Sequence, residues 1–161
     1  MHLSTIAWIT LTVPLVAAAL ILLVTRTSKP FAAGLAILSA LITAVGGWTL
    51  FLGGAEGTFQ GFNWIDFEHA FSIPFALALD PLSRTMLVVV TTIAPIVFIY
   101  SLGYMKEEEG YWRYFAGLAL FLFSMLGIVL ADNLVMMFIF WELVGVSSYI
   151  LIGHYFRKES A

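Results

Sequence analysis

The 161-residue sequence contains no cysteine, so it can form no disulfide framework, thiolate metal site or thiol redox centre. Charge is nearly as scarce, at 11% Asp, Glu, Lys and Arg against about 25% in average globular proteins. The sequence is 61% hydrophobic with a mean hydropathy of +1.00, and a water-soluble chain could not hide that much apolar surface. The composition therefore specifies an integral membrane protein. Three histidines, His2, His69 and His154, fall in different segments without metal-ligand spacing. No nucleotide loop, nucleophile–base pair or haem-ligand pattern is visible, so no cofactor and no nucleic acid is expected on this chain. No Lys or Arg precedes the first apolar run, whereas a cleavable signal peptide needs a positive segment there, so none of the usual form is expected.

What the sequence does hold is five apolar runs, at about 6–24, 31–52, 81–105, 113–130 and 133–156. Each is near the roughly 20 residues that a bilayer-crossing helix needs. Pro14 lies inside the first run, and Pro30 opens the second where a missing backbone donor costs nothing. Gly46-Gly47 would admit close helix contact or merely tolerate a bend. Asp80-Pro81 reads as a cap followed by a first-turn proline, with Arg84 one turn on, expected to pair with Asp80 or reach the interface. Pro95, near Thr91 and Thr92, marks either a static packing kink in the third run or a flexible point in a transport path. Gly117, Ser124 and Gly127 fall roughly on one face of the fourth run, a packing face or a binding site. The turn Ala131-Asp132-Asn133, with Asp132 as expected cap, makes runs four and five an antiparallel pair.

Residues 53–80 differ in kind. Ile73, Phe75, Leu77 and Leu79 alternate with Pro74, Ala76 and Ala78, a period of two. With Thr58–Trp64 before it, the segment predicts two short strands in a hairpin on the membrane surface, Pro74 restricting the second to an edge. Five spans then place Arg26, Lys29, Lys106, Arg113, Arg157 and Lys158 on one side, and Arg84 with the acidic 53–80 segment on the other. The positive-inside rule makes the first side cytoplasmic or matrix. The expected fold class is an all-α integral membrane protein of about five transmembrane helices. Its N-terminus lies outside, its C-terminus is cytoplasmic, and a β-hairpin-like segment sits outside between helices 2 and 3.

Glu142 is the carboxylate within the last span, some eight residues in, roughly 12–14 Å below the surface. An ionised acid at that depth costs about 2.5–3.5 kcal/mol on insertion scales, so such residues usually face a protein interior or a water cavity. Burial favours its neutral form and a nearby cation its charged form; a carboxylate between the two takes up and releases protons, the elementary step of a relay. The alternative is a protonated glutamate that only hydrogen-bonds a neighbouring helix. Trp141, Gly145, Ser147, Ser148 and Tyr149 surround it in sequence. His154 near the inner end either extends a relay or is a solvated interfacial residue. No Lys or Arg lies in the middle of any span, so a cationic partner for Glu142 must come from elsewhere.

The stretches LALDPLSRTMLVVV (77–90), YSLGYM (100–105) and FSMLGIVLADNLVMMFIFWELVGVSSYILIGHYF (123–156) resemble the opening third or less of the large antiporter-like membrane subunit of respiratory complex I. That subunit is called L in bacterial NADH-quinone oxidoreductase and chain 5 in mitochondria. The resemblance implies a membrane-arm role in proton translocation, with Glu142 on the glutamate that pairs with a lysine of a later broken helix. It implies other complex I membrane subunits, the lipid bilayer and the remaining helices of the subunit as partners. NADH, flavin, iron–sulfur clusters and quinone are implied for the complex, not for these residues. Residues 1–130 then form an N-terminal membrane region and 131–161 the start of the antiporter-like domain, in the inner (plasma) membrane of a bacterium. The family subunit has well over a dozen helices and this chain five. Subunits of multi-subunit cation/proton antiporters share the fold and the glutamate, so an ion-coupled transporter is the alternative reading. A scaffold piece without a transport role is a second.

Overall fold

Hydrocarbon offers backbone groups no hydrogen-bonding partner, so apolar runs of this length satisfy themselves as helices. The computed structural model describes residues 2–24, 28–67, 71–106, 108 and 110–153. Helices α1 (Leu3–Val24), α2 (Lys29–Leu52), α3 (Pro81–Tyr104), α4 (Tyr111–Leu130) and α5 (Leu134–Ile152) match the five predicted spans, and strands β1 (Gly57–Phe67) and β2 (Phe71–Leu79) lie between α2 and α3. All five helices are long and apolar enough to cross a membrane, and the chain is a multi-pass membrane protein. The last span was expected to reach Phe156; the described helix ends at Ile152, and residues 154–161 lie outside the described part.

Helix α4 is the hub, packing against α1, α2, α3 and α5, and it is the most buried of the five. Small residues let the helices approach. A side chain at Gly46 would run into Thr10 of α1, and one at Gly47 into Thr91 of α3, so the adjacent glycines of α2 each seat a threonine from a different neighbour. This is close contact rather than bend tolerance. On α4, Gly127 receives the ring of Phe140 and Gly117 lies against Leu151. The buried hydroxyls are satisfied within their own helices: Thr10 donates to Ile6 O, Thr43 to Ser39 O and Ser124 to Leu120 O, at 2.7–2.8 Å.

The caps carry one confirmation and one correction, and Arg84 takes a different partner from Asp80. Asp80 Oδ1 accepts the Ser83 N–H at 2.6 Å while Ser83 Oγ accepts the Asp80 N–H at 2.7 Å, a reciprocal capping box in front of Pro81. The Ser83 backbone N–H, then its hydroxyl, hold the Asp80 carboxyl below its ordinary 3.8. Arg84 does not pair with Asp80. Its guanidinium reaches the other way, to Glu56 Oε1 at 2.7 Å, because the α2–β1 connection passes beside the first turn of α3. Asp132 is not the cap of α5. Asn133 is, accepting the Met136 N–H at 2.9 Å, while Asp132 accepts the Thr58 hydroxyl at 3.1 Å.

Strands β1 and β2 form a two-stranded antiparallel hairpin, with register shifts between Gln60 and Phe62 and between Asn63 and Ile65. Gly61 sits at the first shift, where a Cβ would press on the Phe75 carbonyl and the Trp8 ring. Pro74 lies opposite Asn63 beside the second shift. Its carbonyl points away from β1, to Asn133. A strand residue's N–H and C=O face the same side, so the donor that proline lacks is missing from the open edge and not from the ladder.

Candidate functional site

Glu142 occupies the ninth position of the 19-residue α5, about 12 Å along the axis from Leu134. Helix α5 is apolar on almost every side, so its composition does not select a face. Packing does: Met136, Phe140 and Ser147 are buried, with Leu143 and Leu151 packed at their edge. Glu142 falls on the opposite flank and is exposed, together with Phe138, Gly145, Val146 and Tyr149, the last 78% exposed. A Cβ at Gly145 would meet nothing within 4 Å. Phe138 and Trp141 stand as a tilted pair, ring centroids 6.1 Å apart. The expectation that Glu142 faces an interior is therefore not met within this chain, because α4 takes the other side of α5.

Among the described residues, Glu142 enters no ion pair. Ser147, a sequence neighbour of Glu142, is buried and donates to the Leu143 and Val144 carbonyls at 2.8 and 3.1 Å. His154 lies outside the described residues. Among the described residues there is no grouping of His, Asp and Glu that would hold a metal ion. The arrangement is a mid-helix carboxylate on an aromatic, otherwise apolar stripe, with an open glycine one turn away that admits a close neighbour. Chemically, it can accept and release one proton.

Two contacts that place this carboxylate were not predicted from the sequence. Asn133 ties α5 to β2, and the Gly127–Phe140 contact sets the rotation of α5 on α4. Gly127 was legible as part of a small-residue face; the double role of the Asn133 amide was not.

Residues 64–115 match the family described as "NADH-Ubiquinone oxidoreductase (complex I), chain 5 N-terminus", and residues 131–161 match "NADH:quinone oxidoreductase/Mrp antiporter, TM". The chain is 50% identical over 100 residues to NAD(P)H-quinone oxidoreductase subunit 5, chloroplastic, of Mesostigma viride, covering 62% of this chain and 15% of that protein. It is 55% identical over 89 residues to the same subunit of Anthoceros angustus, covering 55% of this chain and 12% of that protein. The chain thus spans about a seventh of the length of the curated relatives it matches. Among solved structures, a chain of the Mrp complex from Dietzia sp. DQ12-45-1b shares the fold, with a TM-score of 0.70 over 94% of this chain and 16% of that one, at 24% identity. Residues 64–115 and 131–161 are thus similar to the N-terminal part of the antiporter-like membrane subunits of complex I represented by chain 5.

Proposed function

We propose that this chain supplies the first membrane spans of a proton-translocating subunit in the membrane arm of an NAD(P)H-quinone oxidoreductase, and that Glu142 is one of its proton-carrying stations. The observation that carries the reading is the position of Glu142. It is a carboxylate at mid-helix on the face of α5 that the chain's own bundle leaves open. A carboxylate held at that depth is functional by default, and such a residue is commonly paired with a cation beside it. That cation comes from a lysine on a further helix seated along Phe138, Glu142, Gly145 and Tyr149. His154, two residues after the end of α5 in sequence, extends the relay. The partners are the remaining helices of the subunit and the other membrane subunits of the complex.

The residues do not fit the redox groups of such a complex. There is no cysteine for an iron–sulfur cluster, and the hydroxyls of the core are spent on their own helices. Electron transfer belongs to other subunits. The basic end faces the cytoplasm of a bacterium, or the equivalent stromal or matrix side, and the hairpin with the N-terminus faces outside. The test is Glu142→Gln in the assembled complex: proton translocation falls while oxidation of the nicotinamide substrate continues. Unchanged pumping overturns the proposal, and full activity of Glu142→Ala in a correctly assembled complex would favour a scaffold role.

The match of residues 131–161 to a family that includes Mrp antiporters supports a second reading, a subunit of a cation/proton antiporter. Rescue of salt-sensitive cells, without association with flavin or iron–sulfur subunits, would favour it.

A further inference from the structure

One side-chain amide joins the helix that carries Glu142 to the outer hairpin. Asn133 Oδ1 accepts the Met136 N–H at 2.9 Å and caps α5, while Asn133 Nδ2 donates to the Pro74 carbonyl of β2 at 2.9 Å. The same strand edge holds the rest of the α4–α5 turn. The Asp132 N–H donates to Ala76 O at 3.3 Å, and Leu77 and Ala131 form an antiparallel bridge. Residues 131–133 thus lie against the edge of β2, ending in the Asn133 cap. Further along α5 the Phe140 ring meets Phe75 of β2, centroids 6.3 Å apart.

The open face of α5 makes this link matter. Among the helices α5 packs mainly on α4, and an apolar surface on almost every side does not by itself hold a register. A slip of one residue moves a side chain by about 1.5 Å along the axis and turns it by about 100°. Proton exchange requires the partners within about 2.6–3.2 Å, or one water apart. We propose that Asn133 is a positioning residue for Glu142: by tying the first turn of α5 to β2, it sets the depth at which the carboxylate meets its partner, while the Phe140 ring seated on Gly127 sets the rotation. The proposal rests on the reading of Glu142 as a proton station.

Two variants separate the link from the cap. Asn133→Asp and Asn133→Ser both keep an oxygen acceptor for the Met136 N–H. Both lose the amide donor to Pro74. The first readout is structural and uses the full chain in lipid bilayers, where the absence of native cysteine allows spin labels at Phe62→Cys and Phe138→Cys. Both variants are expected to broaden or shift the hairpin–α5 distance distribution while helix content stays unchanged. The second readout is the pH profile of proton translocation in the assembled complex. Both variants are expected to shift its midpoint and to lower pumping per nicotinamide oxidised severalfold, within the roughly 10²-fold that a 1 Å misplacement can cost. A distance distribution and pH profile identical to the parent in either variant, with Glu142→Gln abolishing pumping, overturn the positioning role and leave the proton station standing. If Glu142→Gln itself leaves pumping intact, the station reading fails, and the label distances alone decide whether Asn133 holds α5.

Discussion

The ring of Phe140 occupies the space into which a side chain at Gly127 would project. Phe140 and Glu142 are two residues apart, about 200° around the helix. Seating the ring on α4 therefore turns the carboxylate to the far side of α5. Phe123 closes the same pocket edge-on, its ring centroid 5.2 Å from that of Phe140. The contact fixes rotation where the composition of α5 does not.

Gly127→Ala should accordingly be poorly tolerated. The new methyl group meets a ring that is itself buried, and overpacking of this kind costs about 1–3 kcal/mol. A Cβ at Gly103 meets nothing within 4 Å, so Gly103→Ala is the matched control. Thermal unfolding of the purified chain in detergent should show a lowered midpoint for the first variant and none for the second. Equal midpoints would mean that α5 is not seated through Phe140.

The capping box at Asp80 predicts an acid-side effect. The folded-state carboxyl lies below its ordinary 3.8, held there first by the Ser83 N–H and then by the Ser83 hydroxyl. A carboxyl lowered on folding contributes stability that is fully present above its unfolded value and is lost as pH falls through the folded one. Asp80→Ala should therefore melt below the parent at neutral pH, and the gap should close only below about pH 3.8. A gap that closes between pH 6 and 7 would assign it to another group.

Most of the fold was legible because bilayer thickness and backbone satisfaction leave a long apolar run few choices. The Asp80-Pro81 start and the alternation from Ile73 to Leu79 were equally local signals. The parts that were not legible are decided by tertiary contact. Arg84 had Asp80 one turn away in sequence and Glu56 nearer in space. Asp132 and Asn133 are both good caps, and their neighbours on the hairpin divide the roles: Thr58 engages Asp132, and Pro74 engages Asn133. The exposure of Glu142 could not be read either, since α5 has no polar face to announce which side α4 would take.

The Arg84–Glu56 pair offers a modest stability prediction. Glu56 is 58% exposed and Arg84 16%, so water and salt screen most of the attraction. Glu56→Gln should change stability by less than about 1 kcal/mol. That small difference should shrink further at 1 M salt, where the screening length falls to about 3 Å. A larger, salt-independent loss would mean that the carboxylate holds Arg84 in place for another contact, and Arg84 Nε is a buried donor without a hydrogen-bond partner among the described residues.

The open face of α5 can be tested directly, because every cysteine introduced into this chain is the first one. Single cysteines at Phe138, Gly145 and Tyr149 should react readily with a small apolar thiol reagent in the detergent-solubilised chain, while those at Met136, Phe140 and Ser147 should be protected by α4. If a cation-bearing helix covers Glu142 in the assembled oxidoreductase, the first three positions should become protected there, with the label counted on this chain alone. Position 145 should change most, because the glycine admits the closest approach. The bilayer itself discriminates the opposite outcome. Reactivity at Phe138 and Gly145 that persists in the complex would place this face against lipid tails, with no partner beside Glu142 to hand a proton to.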